Sequence, residues 1–77
     1  MKVRPPKLTR LDVRRQVKAW CDAHDIRSHE ERVHYDRPSK TMTLEIEAGA
    51  RLVNYSGKEQ DVFEAMIGAF QVEEQRQ

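Results

Sequence analysis

All of the cysteine and histidine in this chain lies in one short segment, at Cys21, His24, His29 and His34. Thiolate and imidazole are the groups that zinc prefers as ligands, and a structural zinc site needs four of them to converge. Here Cys21 and His24 fall at the end of a predicted helix, while His34 falls in a predicted strand. The pattern therefore favours Cys21 and His24 as helix residues near the core and His29 and His34 as surface residues. We expect neither a metal nor any other cofactor.

Two short segments resemble motifs of known families. The cysteine and histidine spacing resembles that of the retroviral-type zinc knuckle, but it lacks the glycines that let the knuckle fold around its metal. The segment from Asp61 to Ala69 resembles the second acidic motif of the ribonuclease III endonuclease domain. That resemblance implies magnesium ligands at Asp61 and Glu64, but the helix motif that supplies the family's other ligands is absent. We therefore predict that the protein is not an enzyme.

Positive charge is concentrated at the beginning of the chain. Residues 1–18 hold seven basic side chains against the single acid Asp12, whereas the remaining residues carry a net charge of −5. Lys7, Arg10, Arg14 and Lys18 recur at helical spacing, so they are predicted to line one side of a helix. Like charges at this spacing repel, and cations near a helix N-terminus oppose the dipole. A polyanion would compensate for that placement, because each neutralised phosphate releases counterions.

This charge distribution predicts a small accessory or regulatory protein that contacts nucleic acid, mostly through phosphates. The predicted contact residues are Arg4, Lys7, Arg10, Arg14, Arg15 and Lys18. An acidic protein surface would satisfy the same residues. The alternative is therefore a protein-binding inhibitor or adaptor of phage or plasmid type. It could also bind through an acidic strand face at Glu45 and Glu47, with His34 and Tyr35 nearby.

Length and composition predict one soluble domain. Seventy-seven residues with 38% hydrophobic side chains provide a thin core, which is compatible with a homodimer in which a partner chain covers more apolar surface. The single cysteine excludes an internal disulfide. Neither a secretory signal nor a membrane-spanning segment is predicted, so we expect a cytoplasmic protein without membrane contact.

Helical patterns predict an element near each end of the chain. Pro5 and Pro6 predict an extended, flexible basic arm over residues 1–7. A helix is predicted over about 10–24, with Thr9 as its N-cap and Asp12 at the capping-box position. A second helix carries an apolar stripe of Val62, Phe63, Met66, Ile67 and Phe70. The segment Ser56–Glu59 fits a capping box for it, Gly68 would allow close approach of another backbone, and residues 73–77 are predicted to fray.

The middle of the chain has the two-residue period of strands. Residues 41–48 alternate strictly between apolar and polar side chains, which predicts a strand with one wet face. Residues 31–36 alternate in the same way, so the two runs predict a β-hairpin, and residues 51–55 predict a third short strand. The expected fold is α+β in the order α-β-β-(β)-α, with two helices packed on one face of a small antiparallel sheet over residues 8–72.

This order is similar to that of the double-stranded-RNA-binding domain. The last helix here opens with Lys58-Glu59-Gln60-Asp61, which is net acidic, in place of that family's basic run. The predicted hairpin loop also lacks the histidine of that family. No residue role is therefore transferred from it.

Overall fold

The computed structural model describes residues 7–72, which form two α-helices and one antiparallel sheet. The elements follow the order α1 (Arg10–Ala23), β1 (His29–Asp36), β2 (Thr41–Ala48), β3 (Arg51–Gly57) and α2 (Glu59–Ala69). This order confirms the predicted α+β architecture. Apart from Lys7, the predicted arm lies outside the described residues, as does the predicted tail over 73–77. Neither helix in the described part is long and apolar enough to cross a membrane.

The sheet has the strand order β1-β2-β3, with β2 in the centre. β2 occupies the predicted residues, but the outer strands are longer than the alternation suggested. β1 begins at His29, which pairs with Ala48, and β3 continues to Gly57, which pairs with Met42. β1 thus pairs with the whole of β2, and β3 pairs with all of β2 except Thr41, because the hydrogen-bonded ladder stabilises residues whose side chains show no strand pattern.

The core lies between the sheet and the two helices. Four β2 side chains point towards the helices and are buried, as the alternation predicted: Met42, Leu44, Ile46 and Ala48. Against them pack the buried side chains Val13, Val17 and Cys21 of α1 and Val62, Phe63 and Met66 of α2, together with Phe70. Removing this apolar surface from water, at about 25 cal/mol per Å², is the main force that holds the layers together.

The two helices lie side by side and run in the same direction. At their beginnings, the Leu8 amide donates to Gln60 Oε1 at 3.0 Å, and Gln60 Nε2 donates to the Leu8 carbonyl at 2.8 Å. Further along, Gln16 Nε2 donates to the Phe70 carbonyl at 3.0 Å. These bonds satisfy backbone groups next to the helix ends and place the N-termini of α1 and α2 together.

The predicted capping box at the start of α2 is wrong. Ser56 belongs to β3, where its hydroxyl lies 2.8 Å from the Thr43 hydroxyl across the sheet. The N-cap of α2 is Lys58, and its side chain makes no capping hydrogen bond. Because pairing with β2 holds the chain in the strand through Gly57, the helix begins too late for Ser56 to reach its first amides.

Candidate anion-binding surface

The orientation of α1 is fixed at its first turn and by its buried side. Thr9 is the N-cap, and its hydroxyl accepts from the Asp12 amide at 3.3 Å. Asp12 in turn accepts from the Thr9 amide at 2.8 Å, which confirms the predicted capping box. Because Val13 and Val17 face the core, the opposite side of the helix faces solvent. Leu11, Arg15 and Lys18 are exposed on that side, and Arg14 is exposed on the flank next to β1.

Five of the six predicted contact residues are described, and we call them the basic surface: Lys7, Arg10, Arg14, Arg15 and Lys18. Arg4 lies outside the described residues. The predicted single row is divided in the structure. Arg10 and Arg14 lean towards β1, whereas Lys7 and Arg15 line a shallow groove beside Ile67 of α2. The basic surface therefore wraps both flanks of α1 instead of forming one line.

One carboxylate on β1 binds two arginines of the basic surface. Glu31 accepts from Arg10 Nε at 3.0 Å and from Arg14 Nε at 2.9 Å, using a different oxygen for each. Its side chain is only 9% exposed, whereas that of Arg14 is 56% exposed. Burial raises the pKa of Glu31, but the hydrogen bonds from Arg14 and Arg10 outweigh it and lower the pKa overall. Glu31 is therefore ionised at neutral pH beneath the two guanidinium groups.

The other cations of the basic surface are less constrained. Lys18 Nζ lies 3.6 Å from Asp22 one turn along the helix, with both side chains mostly exposed, so this pair is weak. Within residues 7–72, no carboxylate forms an ion pair with Lys7 or Arg15. The basic surface contains five cations, and the acids on it or paired with it are Asp12, Asp22 and Glu31. Its net charge is therefore +2.

Glu31 is not among the contact residues predicted from the sequence. The sequence could have identified Glu31 by its position in β1. It lies two residues before Val33, on the side of the strand that faces the helices. An acid at such a position requires a cationic partner from another element, because an isolated charge there would lose its hydration. The alternation of β1 predicts which face of the sheet the Glu31 side chain lies on. Its partners Arg10 and Arg14 depend on where α1 lies relative to the sheet.

The cysteine and histidine segment does not converge. Cys21 is 3% exposed, and burial raises the pKa of its thiol. His24 stacks on Trp20 with a centroid distance of 4.1 Å and donates from Nδ1 to the Trp20 carbonyl at 2.9 Å. His29 and His34 lie on opposite faces of β1, because their partners are Ala48 and Thr43.

The described residues contain no group of three His, Cys, Asp or Glu side chains placed to hold a metal ion. The acids Asp61 and Glu64 of α2 are not part of such a group either. Asp61 and Glu64 are both exposed on the outer side of that helix. No third ligand from residues 7–72 joins them, so the nuclease-like motif is not accompanied by the metal geometry it requires.

The sheet face opposite the helices is polar, and we call it the open face. It carries Glu30, Arg32, His34 and Asp36 of β1, Thr41, Thr43, Glu45 and Glu47 of β2, and Leu52, Asn54 and Ser56 of β3. Arg32 donates to Glu30 at 2.7 Å and to Glu45 and Glu47 at 3.0 Å each. One cation among these acids leaves a net charge of −3. Tyr35 lies on the other side of the sheet, where its hydroxyl donates to Glu59 at 2.7 Å.

A groove of about 900 Å³ lies at the C-terminal ends of the helices. It is lined in part by Trp20, Arg51 and Gly68, and Arg51 Nη2 donates to the Ala69 carbonyl at 3.1 Å. The Arg51 guanidinium also lies 5.6 Å from the Trp20 ring centroid. Apart from Gly68, its two chain neighbours and the nearby backbone of α2, no described atom lies within 4 Å of a Cβ built on Gly68. The predicted close approach of another backbone at Gly68 is therefore wrong for residues 7–72.

No protein-family model, curated protein or solved structure matches this chain.

Proposed function

We propose that this protein is a non-catalytic accessory protein that binds nucleic acid through the phosphates. The observation that carries the proposal is the net positive charge of the basic surface on the solvent-facing side of α1. Lys18 and Arg14 are 75% and 56% exposed, so their charged groups can reach a partner without unfolding any element. Binding of this kind needs no cofactor and is consistent with a cytoplasmic protein.

The internal ion pairs do not cancel this charge. Glu31 is one carboxylate shared by two guanidinium groups, and Asp22 forms only an exposed pair with Lys18. Exposed pairs contribute about 0–1 kcal/mol, so a phosphate can replace Asp22 at little cost. Contact with about three phosphates predicts a slope of about −2.7 for log affinity against log salt. That slope corresponds to a roughly 40-fold loss of affinity between about 50 and about 200 mM salt.

The test is fluorescence anisotropy of a labelled short DNA duplex at a series of salt concentrations. We expect measurable binding at low salt and a steep loss as the salt concentration rises. The variant Arg15→Gln/Lys18→Gln should bind more weakly, with a slope closer to zero by about 0.9 for each phosphate that the variant no longer neutralises. A labelled single strand and an RNA duplex, measured in parallel, identify the preferred class of nucleic acid.

The matched control is Arg37→Gln/Lys40→Gln, which removes the same charge from the exposed loop between β1 and β2. It should bind more tightly than the α1 variant, because net charge alone does not create the contacts. Absence of binding by the wild-type protein at low salt would contradict the proposal. So would equal affinities and slopes for the wild-type protein and the α1 variant.

The open face supports a second candidate, an adaptor or inhibitor that binds a basic segment of another protein. Its net charge of −3 and the 59% exposed Leu52 at its edge favour this candidate. Affinity capture after nuclease treatment separates the two functions. Loss of a captured protein in Glu45→Gln/Glu47→Gln, with retention in Arg15→Gln/Lys18→Gln, would favour the adaptor.

A further inference from the structure

Two guanidinium groups of α1 converge on one carboxylate of β1. Arg10 approaches Glu31 Oε2 through Nε at 3.0 Å and through Nη2 at 2.8 Å. Arg14 approaches Glu31 Oε1 through Nε alone, at 2.9 Å. One carboxylate therefore holds together two cations that would otherwise repel each other at this helical spacing.

The contacts use Nε and Nη2 of Arg10 but only Nε, the inner nitrogen, of Arg14. No residue from 7 to 72 hydrogen-bonds to Arg10 Nη1 or to either terminal nitrogen of Arg14. The side chain of Glu31 is 9% exposed, against 35% for Arg10 and 56% for Arg14. The carboxylate is thus largely covered, and these three terminal nitrogens remain available on a surface that a partner can reach.

We propose that Glu31 is a positioning residue, which holds the two arginines so that Arg10 Nη1 and the terminal nitrogens of Arg14 together bind one phosphate group of the partner. This inference rests on the proposed function and specifies its geometry. Guanidinium groups suit this task, because their planar array of donors can contact a carboxylate on one edge and a phosphate on another. Fixing two long side chains before binding also reduces the conformational entropy that binding would otherwise cost.

Charge and geometry make opposite predictions for Glu31. On charge alone, Glu31→Gln makes the basic surface more positive and should increase affinity for a phosphate backbone. If Glu31 positions the arginines, the same variant should bind a DNA duplex several-fold more weakly. Its salt slope should also move closer to zero by about 0.9, because the variant neutralises one phosphate fewer. The matched control Glu64→Gln removes an equal charge from the exposed side of α2 and should not weaken binding.

A second variant keeps the charge and changes only the reach of the side chain. Glu31→Asp should also bind more weakly, whereas a purely electrostatic role predicts wild-type affinity. In an Arg10→Gln/Arg14→Gln background, Glu31→Gln should cause no further loss, because the residues it positions are gone. Circular dichroism and thermal melting of each variant establish that it is folded at the temperature of the binding assay.

The outcomes separate this inference from the proposed function. If the wild-type protein binds DNA and Arg15→Gln/Lys18→Gln weakens binding, the function stands. Equal or tighter binding by Glu31→Gln and wild-type affinity for Glu31→Asp would then overturn the positioning role alone. If the wild-type protein does not bind nucleic acid at low salt, both proposals fail together.

Discussion

Arg32 lies directly opposite Glu45 on the open face, and its Nη2 donates to Glu45 Oε2 at 3.0 Å. The same guanidinium group also binds Glu30 and Glu47, so it is the single cation in a group of three carboxylates. These hydrogen bonds raise the pKa of Arg32, and the bond from Arg32 lowers the pKa of Glu45. Without Arg32, the three carboxylates would repel one another across neighbouring strands.

The first prediction concerns the pH dependence of stability. The pKa of Glu45 is lower in the folded protein than its unfolded value of about 4.3, so its contribution to stability is present above that pH. The contribution is lost as pH falls through the folded pKa, and Glu31 acts in the same direction. We expect the free energy of unfolding to decrease on acidification from about pH 6 to about pH 3.

The variant Arg32→Met isolates the contribution of the open face. It removes the cation, so protonation of the carboxylates relieves repulsion and opposes the loss of stability on acidification. Urea denaturation at several pH values should therefore show a smaller decrease than in the wild-type protein. Arg37→Met, which changes an exposed loop residue, serves as the control and should keep the wild-type pH profile. Parallel pH profiles for Arg32→Met and the wild-type protein would contradict the prediction.

The second prediction concerns Gly68 in α2. A glycine within a helix costs about 0.8–1.0 kcal/mol relative to alanine. Apart from its chain neighbours and the backbone of its own helix, a Cβ at Gly68 would meet no described atom within 4 Å. Gly68→Ala should therefore raise the free energy of unfolding by up to about 1 kcal/mol, measured by urea denaturation. A decrease would show that the Gly68 position is occupied by another part of the molecule or by a second copy.

Gly49 provides the contrasting control for Gly68. Its φ is +62°, and a Cβ there would lie 3.0 Å from Ile26 Cδ1. Gly49→Ala should lower the free energy of unfolding by about 1–2 kcal/mol, because the left-handed backbone disfavours a side chain and Ile26 must move.

The third prediction concerns the N-cap of α2. Lys58 has the extended backbone of an N-cap residue, with φ −70° and ψ 148°, but its side chain makes no capping bond. Lys58→Ser should provide the missing acceptor for a first-turn amide and stabilise the protein by about 0.5–1 kcal/mol in urea denaturation.

The reciprocal measurement for α1 is Thr9→Ala. It removes a hydroxyl that caps the Asp12 amide and should cost about 1 kcal/mol. Ser56→Ala should cost less than Thr9→Ala, because the Ser56 hydroxyl bonds only to Thr43 on an exposed surface. A larger loss for Ser56→Ala than for Thr9→Ala would contradict the assignment of the two N-caps.

Local patterns in the sequence determined the elements and their buried sides. The two-residue period of residues 41–48 predicted both the strand and its four buried side chains, because side chains alternate across a sheet. Helical spacing predicted the core positions Val13 and Val17, and Thr9 with Asp12 predicted the start of α1. These features depend on residues within a few positions of one another, so the sequence alone contains them.

The tertiary structure decided which distant residues meet. Strand pairing carried β3 to Gly57, which removed Ser56 from the start of α2. The way α1 crosses the sheet brought Arg10 and Arg14 onto Glu31, while its contact with α2 placed Arg15 and Lys7 in a separate groove. A helical wheel gives the direction of a side chain about the helix axis. The residue that the side chain meets depends on the strand register and on how the helix packs on the sheet. For that physical reason, the sequence located the positive charge, and only the fold showed how much of it remains available to a partner.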